Sequence, residues 1–117
     1  MSPDIEIRER RGAHRIQVNL PARYRSEITA LTGWVANVSR NGMFIRSQYL
    51  DECGADVRIG FALPGEKQPL AMAGRVVRVN DSPLCPGMAI RFTQVPDVAR
   101  RRLAEFMSRR NRTLANR

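Results

Sequence analysis

Lysine, histidine and cysteine are scarce in this chain of 117 residues, and each shortage excludes something. The single histidine, His14, and two cysteines, Cys53 and Cys85, 32 positions apart and with no C-x-x-C spacing, form no metal-ligand set. So few cysteines also read as a reduced chain, and the expected compartment is the cytoplasm. No run of about 18 apolar residues exists, so no membrane-spanning helix is expected. Residues 1–15 are polar and charged, without the apolar segment of a secretory signal. A nucleophile–base pair, an acidic dyad and a metal cluster are all missing, which makes an enzyme the least expected class, with no cofactor. Aromatics are only 6% of the residues, too few for an obvious base-stacking platform.

What the chain has instead is arginine. Nineteen arginines stand against one lysine, Lys67, and the net charge is +9. The planar guanidinium fork suits phosphates and guanine edges, so an anionic partner is the first expectation, set beside plain surface solvation. The excess is uneven: +1 over residues 1–15, +3 over 16–96 and +5 over 97–117. At 13.3 kDa the chain has room for one domain and one core.

Residues 1–15 read as a flexible basic arm: Ser2-Pro3-Asp4 starts no core element, and Arg8 to Arg15 has no apolar period. From Ile16 onward Val18, Leu20, Ala22 and Tyr24 alternate with polar residues and Pro21, the pattern of a strand with its proline at an edge or bulge. Further strands are expected near 31–39, 43–46, 57–63, 70–79 and 87–92, with Pro64-Gly65-Glu66-Lys67 as a turn and Asp51 to Ala55 as a connection. Trp34 is expected in the core, sharing a face with Ala36 and Val38. Ala99, Leu103, Phe106 and Met107 form one apolar stripe of a helix over 97–112, with Asp97 at its positive end and Arg109, Arg110 and Arg112 at its negative end. Arg100, Arg101 and Arg102 fall on its solvated face. The expected fold is all-β with a C-terminal helix: a small six-stranded antiparallel β-barrel over 16–96, packed by one α-helix that closes a mouth or edge.

The stretch with most chemical content is Asn37-Val38-Ser39-Arg40-Asn41-Gly42. Asn37 and Ser39, two apart, would project from one face at a strand end. Asn41-Gly42 is a hairpin signal of the type I′ kind, which needs positive φ at both residues.

Together with Arg11-Gly12-Ala13-His14-Arg15, an R-x-x-x-R element, this stretch fits [D/N]-x-S-x-x-G and resembles the PilZ domain, a bacterial receptor for cyclic di-GMP. Gly42 to Ser47, Gly74 to Val79 and Gly87 to Phe92 resemble the family's later strands, and the likeness spans a single domain over 8–112. It implies a split-barrel fold and a cyclic di-GMP site of Arg10, Arg11, Arg15, Asn37, Ser39 and Gly42, in which the arginines grip guanine and phosphate, Asn37 and Ser39 meet the guanine edge, and Gly42 lets the backbone approach closely or turn tightly. Arg10 would touch a second nucleotide if the ligand binds as a stacked pair. The chemistry agrees: arginine pairs bidentately with guanine O6 and N7, and a side-chain amide both donates and accepts. Asn at position 37, where many relatives carry Asp, forgoes a charge-assisted bond to guanine N–H groups.

Each residue also has a plainer role. Arg11 and Arg15 could be solvated charges, Asn37 and Ser39 could satisfy turn backbone, and Gly42 reads first as a turn glycine. His14 reads as an exposed arm residue. The functional expectation is a stand-alone receptor and adaptor: ligand orders the arm, and an effector protein reads the change, in motility, surface polysaccharide or development. Two other classes remain open, a basic nucleic-acid-binding barrel, ranked well below, and a protein-interaction scaffold with a non-binding PilZ-like site.

Overall fold

A computed structural model describes residues 15–115, with side chains through Arg110. The strands are β1 (Ile16–Ser26), β2 (Ala30–Val38), β3 (Gly42–Arg46), β4 (Asp56–Phe61), β5 (Leu70–Asn80) and β6 (Gly87–Gln94), and helix α1 (Asp97–Ala115) follows. All six strands and the helix fall where the periodicity puts them, the helix running three residues further. The strands close into a barrel in the order β1-β2-β3-β6-β5-β4, with every neighbouring pair antiparallel. Closure removes the unpaired sheet edges that would otherwise template aggregation. Pro21 has a place in this closed sheet because β1 pairs with β4 only from Ala22 onward, so its missing N–H interrupts no ladder on that side.

Alternation along the strands sends Ala22, Tyr24, Val35, Val38, Met43, Ile45, Ile59, Val76, Met88 and Ile90 inward, all buried. One mouth of the barrel is where β1 begins, β2 ends and the β4–β5 loop passes. Helix α1 covers it: Ala99, Leu103, Phe106 and Met107 are all buried in the same core as the strands. Two arginines fasten the helix there. Arg102 pairs with Glu66 and donates to the Gln68 carbonyl, both in the β4–β5 loop, and Arg110 donates to the Gln17 carbonyl of β1 at 3.1 Å. Arg102 therefore departs from the solvated role expected of it. The Pro64-Gly65 turn is what presents Glu66: Gly65 has φ 80° and the Glu66 N–H reaches the Leu63 carbonyl at 3.0 Å, the type II geometry with proline then glycine.

The opposite mouth is sealed by a feature the sequence did not advertise. Asp51, expected only as part of a connection, is 5% exposed, and its carboxylate accepts hydrogen bonds from the Tyr24 hydroxyl at 2.5 Å and the Tyr49 hydroxyl at 3.3 Å. Burial, together with the hydrogen bond to Asp51, raises the Tyr24 pKa above the ordinary phenol value. Below about pH 10 both folded and unfolded chains hold that proton; above it the unfolded chain releases it first and binds fewer protons than the native one. Stability from this group is thus complete below about pH 10 and falls by up to about 1.4 kcal/mol per pH unit above it. Tyr24→Phe should cost about 1–3 kcal/mol at neutral pH in denaturant unfolding, by leaving a buried carboxylate short of a donor. It should also flatten the alkaline loss, and an unchanged alkaline slope in the variant would contradict the assignment.

Candidate functional site

The geometry around Asn37 starts from an irregularity in β2. Val35 pairs with Ile45 of β3, but the next pair is Asn37 with Phe44, so Ala36 is an extra residue, a β-bulge. Strict alternation from the buried Val35 would turn Asn37 inward and Val38 outward. The bulge resets the phase: Val38 is fully buried, and Asn37 joins Trp34 on the outer face. This corrects the expectation for Trp34, which is 46% exposed rather than core. A matching irregularity lies between Gln17 and Leu20 of β1, and Gln17 ends up directly opposite Asn37.

Ser39 does not share that outer face. It is buried, and its hydroxyl oxygen accepts the backbone N–H groups of Asn41 and Gly42, each at 3.2 Å, while donating to the Gly42 carbonyl at 3.3 Å. The Ser39 N–H also reaches the Gly42 carbonyl, at 2.8 Å. A serine hydroxyl standing in for a backbone acceptor is a standard way of closing a short turn. The turn is therefore not type I′: neither Asn41 nor Gly42 has positive φ. Glycine is needed at 42 for another reason. A Cβ there would lie 2.2 Å from the Ile90 carbonyl oxygen of β6, so glycine lets β3 and β6 approach. The Phe92 N–H bonds to the Asn41 carbonyl at 2.8 Å and ties the turn to β6.

Arg15 comes to this place from the start of β1. Its guanidinium donates to Asn37 Oδ1 at 2.5 Å across 22 residues of sequence. On the same outer face, Arg46 of β3 donates to Asn19 Oδ1 of β1 at 2.9 Å, and Arg46 is the register partner of Trp34. The result is an outward polar strip over β1, β2 and β3 containing Arg15, Gln17, Asn19, Asn37 and Arg46, with the Trp34 indole at its far end. From the sequence, neither Arg46 nor Trp34 is placed in the site; the pairing of β2 with β3 is the signal that unites them. Arg110 of α1 reaches the same neighbourhood through the Gln17 carbonyl. Of the residues expected in the site, Arg15 and Asn37 are brought together. Ser39 and Gly42 build the turn beneath them. Arg10 and Arg11, like His14, lie outside the described residues.

Among the described residues no group of histidine, cysteine and carboxylate side chains could hold a metal, and Cys53 and Cys85 are free thiols on the surface. No helix among them is long and apolar enough to cross a membrane.

The family model described as the PilZ domain matches residues 9–109. No curated protein matches the chain. Solved structures resemble it in fold, two of them as follows. The Bacillus subtilis inhibitor of motility, MotI/DgrA, superposes with a TM-score of 0.76 at 17% identity, over 86% of this chain and 51% of that one. This chain thus spans about half the length of that neighbour. The PilZ domain of CeSA from a cellulose-synthesizing bacterium superposes with a TM-score of 0.60 at 19% identity, over 74% of this chain and 87% of that one.

Two substitutions separate the turn's parts. Gly42→Ala should destabilise by about 3 kcal/mol in denaturant unfolding, because a backbone carbonyl must move to admit the methyl group. Ser39→Ala should cost about 1–2 kcal/mol, by leaving buried N–H groups without their acceptor. Stabilities equal to the parent for both would show that the turn is not held as described.

Proposed function

This chain belongs to the PilZ domain family, and on that premise we propose that it is a cyclic di-GMP receptor and adaptor, binding the nucleotide on the strip around Asn37 and passing the change to a partner protein. The observation that carries this reading is the Arg15–Asn37 hydrogen bond. It joins the second arginine of the R-x-x-x-R element to the first residue of the Asn-x-Ser-x-x-Gly element on the outside of the barrel. Guanine offers O6 and N7 to an arginine fork and N–H groups to an amide oxygen, so this pair can meet one base edge. In the proposal Arg15 releases Asn37 Oδ1 to the ligand and turns its own fork to guanine or phosphate. Arg10 and Arg11 follow it in from the preceding arm.

Ser39 and Gly42 serve the site by holding the backbone that presents Asn37. The exposed Trp34 indole offers a face on which a second base can stack. In the proposal the change is relayed as ligand draws the arm against the barrel, a binding-linked switch of a known kind. Helix α1 is a second route, since Arg110 binds the carbonyl of Gln17, the residue opposite Asn37. Motility control is one proposed output, in keeping with the motility inhibitor among its structural neighbours; surface polysaccharide and development are others. Nucleic acid fits the strip less well, since Trp34 is its single exposed aromatic and a bound strand needs successive stacking platforms.

Calorimetry with cyclic di-GMP tests the reading. Binding by the parent is expected, with Arg15→Ala and Asn37→Ala each weakening it by about tenfold or more, the value of one charge-assisted contact. Arg11→Ala should behave like Arg15→Ala. Hydrogen exchange should slow over residues 8–15 in the bound form. A parent protein whose melting temperature does not move at saturating nucleotide overturns the proposal.

A further inference from the structure

On the side of the barrel formed by β1 and β4, away from the Asn37 strip, three arginines share one outward face. Arg23 and Arg25 of β1 stand two residues apart, and Arg25 is the register partner of Arg58 on β4. Like charges directly opposite each other across a strand pair are destabilising, so this arrangement costs the free protein stability. Among the described residues no carboxylate pairs with Arg23, Arg25 or Arg58 to relieve it. The acids one row along are Glu27 and Asp56, and Asp56 is already engaged by Arg75 at 3.0 Å.

Between these arginines the surface is hollow. Arg23 faces Gly60, Gly60 faces Ala71, and Arg58 faces Ala73, so small side chains stand where strands usually carry β-branched or aromatic ones. The cleft that remains has a volume of about 710 Å³ and runs from Ala30 and Thr32 on β2 to Gln94 and Pro96 past the end of β6. Its floor is backbone and methyl groups; its rim is three guanidinium groups that have no carboxylate partner among the described residues.

We propose that this face is a docking surface for an acidic polypeptide segment of a partner protein, one that lays small aliphatic side chains on the Gly60–Ala71–Ala73 floor and carboxylates against Arg23, Arg25 and Arg58. Charge complementarity selects the occupant, because only an anionic partner removes the repulsion between Arg25 and Arg58. The shape selects a polypeptide over the other polyanions. A single-stranded nucleic acid needs aromatic platforms, and Tyr24, the one aromatic residue lining the cleft, is buried with its hydroxyl on Asp51. A lipid surface cannot follow a floor recessed between long side chains. The three arginines and the Gly60–Ala71–Ala73 floor lie on β1, β4 and β5 and take no part in the Asn37 strip, although β1 and β2 supply residues to both surfaces and Thr32 of the cleft stands two residues from Trp34. Nucleotide and partner can therefore occupy one molecule together.

The test uses the full chain and a short fluorescein-labelled peptide of repeating Glu-Ala-Leu-Glu, read by anisotropy. A matched peptide with Lys in place of Glu, a labelled oligothymidylate and phosphatidylglycerol vesicles complete the set. The acidic peptide should bind, with affinity falling as salt rises, and the Lys peptide should not. Arg58→Glu is the informative variant, since it places opposite charges across the β1–β4 pair. It should weaken the acidic peptide by roughly tenfold or more while leaving the melting temperature equal or higher. Arg23→Gln with Arg25→Gln should weaken the peptide too, and both variants should keep the parent's response to cyclic di-GMP. The proposal is overturned if the acidic peptide binds no better than the Lys peptide or binds Arg58→Glu as it binds the parent. It is also overturned if oligothymidylate or the vesicles, rather than the peptide, lose binding in that variant.

Discussion

One extra residue in β2 decides what this barrel shows to solvent. With Ala36 bulged out of register, Val35 and Val38 both point inward although three positions separate them, and Asn37 points outward between them. The core demands both valines, since every buried methyl group lost from a packed interior costs on the order of 1 kcal/mol. The outward amide is thus enforced by packing on the other face of the strand. Bulges often re-aim a side chain in this way at the places where a sheet does chemistry.

The rest of the site rests on that choice through closure of the barrel. β3 has to approach β6 closely enough that position 42 has no room for a Cβ beside the Ile90 carbonyl. The turn joining β2 to β3 is then short, and its amide groups are satisfied by the buried Ser39 hydroxyl in place of solvent. Two members of the Asn-x-Ser-x-x-Gly element are therefore structural parts that hold the first one out. Helix α1 completes the same end, its apolar stripe sealing the mouth and Arg102 and Arg110 locking it to the β4–β5 loop and to β1.

Charge is distributed with more order than a net of +9 conveys. Some arginines are spent internally: Arg102 on Glu66, Arg75 on Asp56 and Arg110 on a β1 carbonyl. Others are grouped on two faces, Arg15 with Arg46 on the strip around Asn37, and Arg23, Arg25 and Arg58 on the β1–β4 side. A barrel serves such a division because consecutive strands turn their outer faces to different directions while sharing one core.

The order and type of the elements, the inward residues of β1, the helix stripe and the two motifs were all legible in the linear chain, because period-two and helical patterning are local properties of neighbouring residues. The Pro64-Gly65 turn was legible for the same reason. What no local pattern carried was register. The bulge at Ala36 leaves no mark in composition, so strict alternation sent Trp34 to the core; the packing of Val35 against β3 overrules it. Nor could the dipeptide Asn41-Gly42 show that its glycine answers to a strand more than forty residues away. Asp51 looked like an ordinary loop acid until Tyr24 and Tyr49 were brought to it. Sequence alone thus determined which elements form and which residue types could meet a nucleotide. Tertiary structure decided which of them face one another, because contacts between distant strands depend on how the whole sheet closes.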